Sequence, residues 1–163
     1  MFLRKPQSVS DPGGHTRQRQ LRTDPVKTNA GVMSARTRNT GTLIVLAHLA
    51  TLLAHGSGHA HLGIGTNAWQ SAFIAIVIFA VPLIAVALLW TRVQMAGVLL
   101  LGSAMAGALA FGLYYHFAAP GADNALGLRQ SDWSTAFLAT AMLLAVIEAV
   151  ACGWCFLVLR SRR

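Results

Sequence analysis

The chain is 163 residues long, 55% hydrophobic and 11% charged, with 13 Lys and Arg against 5 Asp and Glu for a net charge of +8. A soluble domain has about a quarter of its residues charged. A composition this poor in charge excludes disorder over most of the length and excludes a large soluble catalytic domain, and it fits a chain that uses lipid as its solvent.

Residues 1–40 contain no apolar run and are rich in Pro, Gly, Ser, Thr and Arg, with Pro6, Pro12, Gly13, Gly14 and Pro25 spread along them. Such a segment cannot bury enough surface to offset its ordering entropy. The expectation is a disordered basic tail over 1–40, followed by a transmembrane domain over 41–163. Met33 offers an alternative start, with Arg36 and Arg38 just behind it.

Four apolar stretches follow, over 42–61, 69–90, 95–117 and 134–159. Each is close to the ~20 residues a helix needs to cross about 30 Å of hydrocarbon. Trp69, Trp90 and Trp133 stand at or beside the ends of the last three, where an amphipathic ring prefers the headgroup region. Pro82 lies inside the second stretch and should kink it, because it removes a backbone donor and frees a carbonyl that neighbouring groups must satisfy. This stretch is also the most uniformly apolar, and is expected to be the most exposed to lipid.

The first stretch has two readings. Its apolar core, 43–54, holds His48 and Thr51, and a helix reaching His61 must run through Gly56, Ser57 and Gly58. Counted from Met33, the same residues also read as a secretory signal with a cleavage site near His59-Ala60. A retained helix is preferred, because a histidine inside a signal's apolar region is unusual.

Charge sets the orientation. Eight of the 13 basic residues precede the first stretch, Arg92 lies in the turn between the second and third, and Arg160, Arg162 and Arg163 follow the fourth. The other two connections hold only Arg129. By the positive-inside rule both termini are cytoplasmic, and 62–68 and 118–133 face the other side. The same distribution accounts for the basic balance through anionic lipid, and nucleic acid is not expected as a partner.

The residues that could carry chemistry lie inside these stretches. Glu148 is the only carboxylate within any of them, and an ionisable group in hydrocarbon is a functional hypothesis by default. Its helical neighbours Ala141, Leu144, Ala145, Ala151, Cys152 and Cys155 form a stripe that is small and weakly polar apart from Leu144, suited to the bundle interior. At about 1.5 Å per residue, His48 and Glu148 fall at nearly one depth, so they are read as an intramembrane polar pair. It serves either to fix helix register or as a proton or cation relay.

His48, His55 and His59 share one face of the first helix, while His61 points away. His55 and His59, four apart, can hold one ion from successive turns. His116, near the same level of the third helix, and Asp123, in the adjoining loop, could complete a three- or four-ligand site. Imidazole with carboxylate suits Zn, Cu, Ni or Fe. The competing readings are a solvated histidine tract beyond a helix that ends at Gly56 and Gly58, and haem held by a histidine pair. Cys152-Gly153-Trp154-Cys155 is a C-x-x-C, but it lies near the cytoplasmic face, where thiols stay reduced, and reads as two cysteines in a helix seam. No Walker loop, dinucleotide fingerprint, nucleophile elbow or zinc-protease helix is present.

These readings converge on an all-α integral membrane bundle of four antiparallel transmembrane helices, N-terminus and C-terminus cytoplasmic, in a cell membrane of the bacterial inner-membrane type. The functional expectation is a non-enzymatic protein with an extracytoplasmic transition-metal site at His55, His59, His116 and Asp123. The alternatives are a haem-binding electron-transfer subunit and an accessory subunit with no site of its own. Four helices leave little room for a transport path in one chain, so such an activity would need a homo-oligomer or a partner membrane subunit.

Overall fold

Ser34 starts the first helix: its hydroxyl accepts the backbone N–H of Thr37 at 3.1 Å, meeting one of the donors that a helix start leaves unpaired. The computed structural model describes residues 33–162, so residues 1–32 of the tail expected over 1–40 lie outside them. Among the described residues, four helices are long and apolar enough to cross a membrane: α1 (Ala35–Leu62), α2 (Ala68–Leu89), α3 (Gln94–Ala118) and α4 (Asp132–Arg160). The first turns of α1 occupy 35–40, which composition alone assigns to the tail.

The glycines of α1 do not end it. Gly58 is buried against α4, where an added Cβ would stand 3.2 Å from the Phe137 ring, so its missing side chain allows the two helices to approach. The helix stops at Gly63, whose φ of 66° is left-handed and suits a glycine cap. Capping boxes at Asn67 with Gln70 and at Ser131 with Ser134 open α2 and α4. Trp69, Trp90 and Trp133 all sit exposed at helix ends.

The helices form a ring. α4 packs between α1 and α3, α3 packs on α2, and the α1–α2 seam is made mainly with the Val81–Leu89 half of α2. Buried positions recur about every 3.5 residues, the spacing of a left-handed bundle. On α4 they include Phe137, Ala141, Leu144, Glu148, Ala151, Cys155 and Val158; on α1 they include Val45, His48, Thr51, His55 and Gly58. Cys155 lies in the α3–α4 seam, where a Cβ on Gly102 would stand 3.2 Å from its own. Both cysteines are free thiols.

Two π-helical segments interrupt the α geometry, Ile74–Ala80 in α2 and Tyr114–Ala118 at the end of α3. The first runs up to Pro82, so the backbone adjusts to the proline by widening just before it. The second changes a register. Val98, Leu101, Met105 and Ala108 are buried, and α-helical spacing through Gly112 would next turn Tyr115 inward. The wider π turn takes up one extra residue, and His116 is buried instead.

Candidate metal centre

At the end of the bundle where α1 and α3 finish, three imidazoles converge. The ligand-capable atoms of His55, His59 and His116 all lie within 4.8 Å of one another, a group that could hold a metal ion. Adjacent turns of α1 supply the first two, and the π segment of α3 supplies the third. The Phe137 side chain, fully buried, forms the floor: its ring stacks on His55 at 4.4 Å and meets His59 edge-on at 4.9 Å.

Hydrogen bonds to carbonyls fix the ring protons of His59 and His116, and a hydroxyl faces the third ring. His55 Nδ1 lies 3.0 Å from Thr140 Oγ1, and the Thr140 hydroxyl can place its own proton on the backbone carbonyls of Ala136 and Phe137. With the hydroxyl proton on those carbonyls, the threonine oxygen accepts and His55 carries its proton on Nδ1; with that proton turned to the ring, His55 is protonated at Nε2 instead. His116 Nδ1 lies 3.1 Å from the Asp123 carbonyl, and His59 Nδ1 lies 3.3 Å from the Ile64 carbonyl. A carbonyl only accepts, so these two rings are protonated at Nδ1.

His59 and His116 then present bare Nε2 lone pairs, and so does His55 when its proton is on Nδ1. His55 Nε2 faces His116 Nε2 at 3.2 Å, and His59 Nε2 faces Asp123 Oδ1 at 3.5 Å. A ring proton shared between His55 and His116 satisfies the first contact, and the same group of atoms could hold a metal ion. Asp123 Oδ1 is buried and has no hydrogen-bond partner. It also stands 3.7 Å from His116 Nδ1, on the side of that ring away from His55.

The second pair of residues expected to act together also meets. His48 Nδ1 lies 3.6 Å from Glu148 Oε1, beyond hydrogen-bond range, with the two side chains 0% and 5% exposed. The other nitrogen, Nε2, is 3.2 Å from the carbonyl of Ile78. That carbonyl lies four residues before Pro82, so it has no α-helical donor, and His48 Nε2–H supplies one. His48 Nδ1 is then a bare, buried acceptor without a partner. One proton placed between Nδ1 and Oε1 completes the pair.

No known family matches the chain, and no curated protein or solved structure is detectably similar to it. The site therefore has to be understood from its own chemistry.

His61 stands apart, as its face on α1 implies: its ring stacks on Trp133 at 3.6 Å. The sequence reading missed Thr140 and Phe137, which orient and support the imidazoles. Phe137 was accessible, because it begins the same seven-residue pattern that holds Glu148. Thr140 lies one position before Ala141 in that pattern, at the edge of the stripe, so only the packing of α1 on α4 brings it to His55.

A cavity of about 240 Å³ runs inward from this centre. His55, His59, His116 and Asp123 line one end and Glu148 the other, with walls that include Leu52, Ile74, Ile78, Phe111 and Leu144.

Proposed function

We propose that the chain is a multi-pass membrane protein that holds one first-row transition-metal ion through the Nε2 atoms of His55, His59 and His116, with Asp123 moving in as the fourth ligand. The observation that carries this reading is the convergence of three imidazoles whose ligand-capable atoms lie within 4.8 Å of one another, each with an oxygen beside Nδ1 that can accept its proton and free Nε2 for an ion. Partners of this kind on the non-ligating nitrogen are what metal-bound histidines use to fix tautomer and orientation. A tetrahedral ion with bonds of about 2.0–2.1 Å separates its nitrogens by about 3.3–3.4 Å, close to the 3.2 Å between His55 and His116. Zinc, copper, nickel and iron all accept this donor set.

Haem fits less well. A histidine pair on haem binds from opposite faces of a macrocycle, about 4 Å apart across the iron, whereas these nitrogens lie side by side. For an accessory subunit with no site of its own, buried imidazoles aimed at one point would be a cost without return.

The positive-inside distribution supports cytoplasmic termini and a metal centre on the opposite side of a bacterial-type inner membrane. Gln130→Cys should then react with an impermeant maleimide on intact cells and Thr91→Cys should not; the reverse labelling would overturn this orientation. The His48–Glu148 pair, deeper in the bundle, is read as a proton-holding element that ties α1, α2 and α4 together.

The test is elemental analysis of the detergent-purified protein after loading with each metal in turn. The reading expects about one equivalent of ion per chain, reduced at least tenfold by His55→Ala or His116→Ala, without a Soret band. Retention no greater than that of His116→Ala, or an intense Soret band, would overturn it.

A further inference from the structure

We infer that the cavity between the imidazoles and Glu148 is a binding chamber for a small neutral molecule with a mostly apolar body. One end of that molecule would carry a lone-pair atom, which would take the ion's fourth position in place of Asp123 or add as a fifth ligand, and the other a hydrogen-bonding group. The metal end of this inference rests on the function proposed above; the chamber itself does not.

Size sets the first limit. An apolar cavity of about 150 Å³ stays dry and binds benzene, and this one measures about 240 Å³. It therefore takes a body of roughly ten non-hydrogen atoms. Chemistry sets the second. The walls are aliphatic and aromatic, so a charged body would lose its hydration with nothing to replace it. The polar groups are confined to the two ends.

At the far end Glu148 is 4% exposed and lines the chamber. His48 Nδ1 stands 3.6 Å from its Oε1, outside hydrogen-bond range. A buried carboxyl with unspent hydrogen-bonding capacity, aimed into an apolar cavity, suits a ligand's polar tip. From Thr140, the partner of His55, to Glu148 the helix advances about 12 Å. A metal bond of about 2 Å and a hydrogen bond of about 3 Å leave roughly 7 Å for the ligand, the length of a substituted ring.

The chamber is closed at one end and open at the side. Beyond Glu148 the bundle is sealed by Ala85, Val98, Leu101 and Ala151, all fully buried. This seal leaves no passage onward through the chain, so the geometry is that of a site and not a conduit. Toward the metal centre, α1 stands off the first half of α2. Gly56 at that edge has nothing within 4 Å of where a Cβ would be. A neutral molecule dissolved in the bilayer can enter there.

The experiment uses 4-pyridinepropanol, which has a ring nitrogen at one end and a hydroxyl at the other, and its N-methylpyridinium derivative as a charged control without a lone pair. Binding to the full chain in phosphatidylcholine nanodiscs is followed by saturation-transfer NMR, and cobalt(II) absorption reports the metal end. The inference expects saturable binding of the neutral probe, at least about tenfold weaker in Gly56→Phe and in Glu148→Leu, with no saturable binding of the charged control. The bulky ring at Gly56 meets open space, so cobalt stoichiometry should be unchanged in that variant.

The metal-free protein should keep a weaker, still saturable site that Gly56→Phe also removes. One ion per chain without saturable probe binding, or equal affinity in Gly56→Phe, would overturn the chamber and leave the metal site standing. Saturable binding abolished by Gly56→Phe in a chain that takes up no ion would support the chamber and overturn the metal site.

Discussion

His48 donates its Nε2–H to the Ile78 carbonyl across 3.2 Å, and Pro82 is the reason that carbonyl needs a donor. A polar residue of α1 thus compensates for a backbone defect in α2, and the bond holds the two helices together at the inner end of their open seam. Hydrogen bonds between membrane helices contribute about 0.6 kcal/mol on average and up to about 1.7 kcal/mol. His48→Leu should destabilise the fold by roughly 1–2 kcal/mol. Part of that loss should disappear in a Pro82→Ala background, where the restored amide can serve Ile78. A double-mutant cycle on unfolding in mixed detergent measures the coupling, expected at about 0.5–1.5 kcal/mol; strict additivity would contradict it.

Thr140 should act on the metal without touching it. In the proposed site its oxygen, 3.0 Å from His55 Nδ1, holds the ring proton there and keeps Nε2 bare. Thr140→Val removes that acceptor and should weaken ion binding by about 10–100-fold, the usual effect of losing such an outer partner. Thr140→Ser keeps the oxygen and should stay close to the native affinity. Competitive titration against a chelator distinguishes the two, and equal affinity in Thr140→Val and the native chain would show that the proton is placed wrongly.

Two glycines should respond in opposite ways. A Cβ on Gly97 would stand 2.8 Å from the Ala85 carbonyl oxygen and 2.9 Å from the Leu89 nitrogen. Both are backbone atoms, so the helices must move apart, and Gly97→Ala should cost about 1–3 kcal/mol. Gly56→Ala meets open space and gains helix propensity, so it should be neutral or stabilising by up to about 1 kcal/mol. Thermal unfolding in one detergent ranks the pair; a Gly97→Ala protein as stable as the native chain would contradict the close α2–α3 approach.

Hydropathy and charge made the four helices legible, because lipid leaves a spanning chain few alternatives to helix. The shared face of His48, His55 and His59 followed from α-helical spacing, since α1 is regular throughout. The length of α1 was less clear, because Gly56 and Gly58 look like breakers until Phe137 is seen packed on one of them. The inward turn of His116 was not legible for a different reason: even spacing on α3 would turn Tyr115 inward, and the π segment shifts the register by about one residue without a mark in the apolar pattern. Outer partners such as the Ile64 and Ile78 carbonyls belong to the backbone, so no residue type announces them.

The central claim is that three imidazoles close on one ion. X-ray absorption at the zinc edge of the loaded protein counts them directly. The account predicts three imidazole nitrogens at about 2.0–2.1 Å with one oxygen neighbour, and one imidazole fewer in His59→Ala. A spectrum with no more than one imidazole, or one unchanged in His59→Ala, would contradict it.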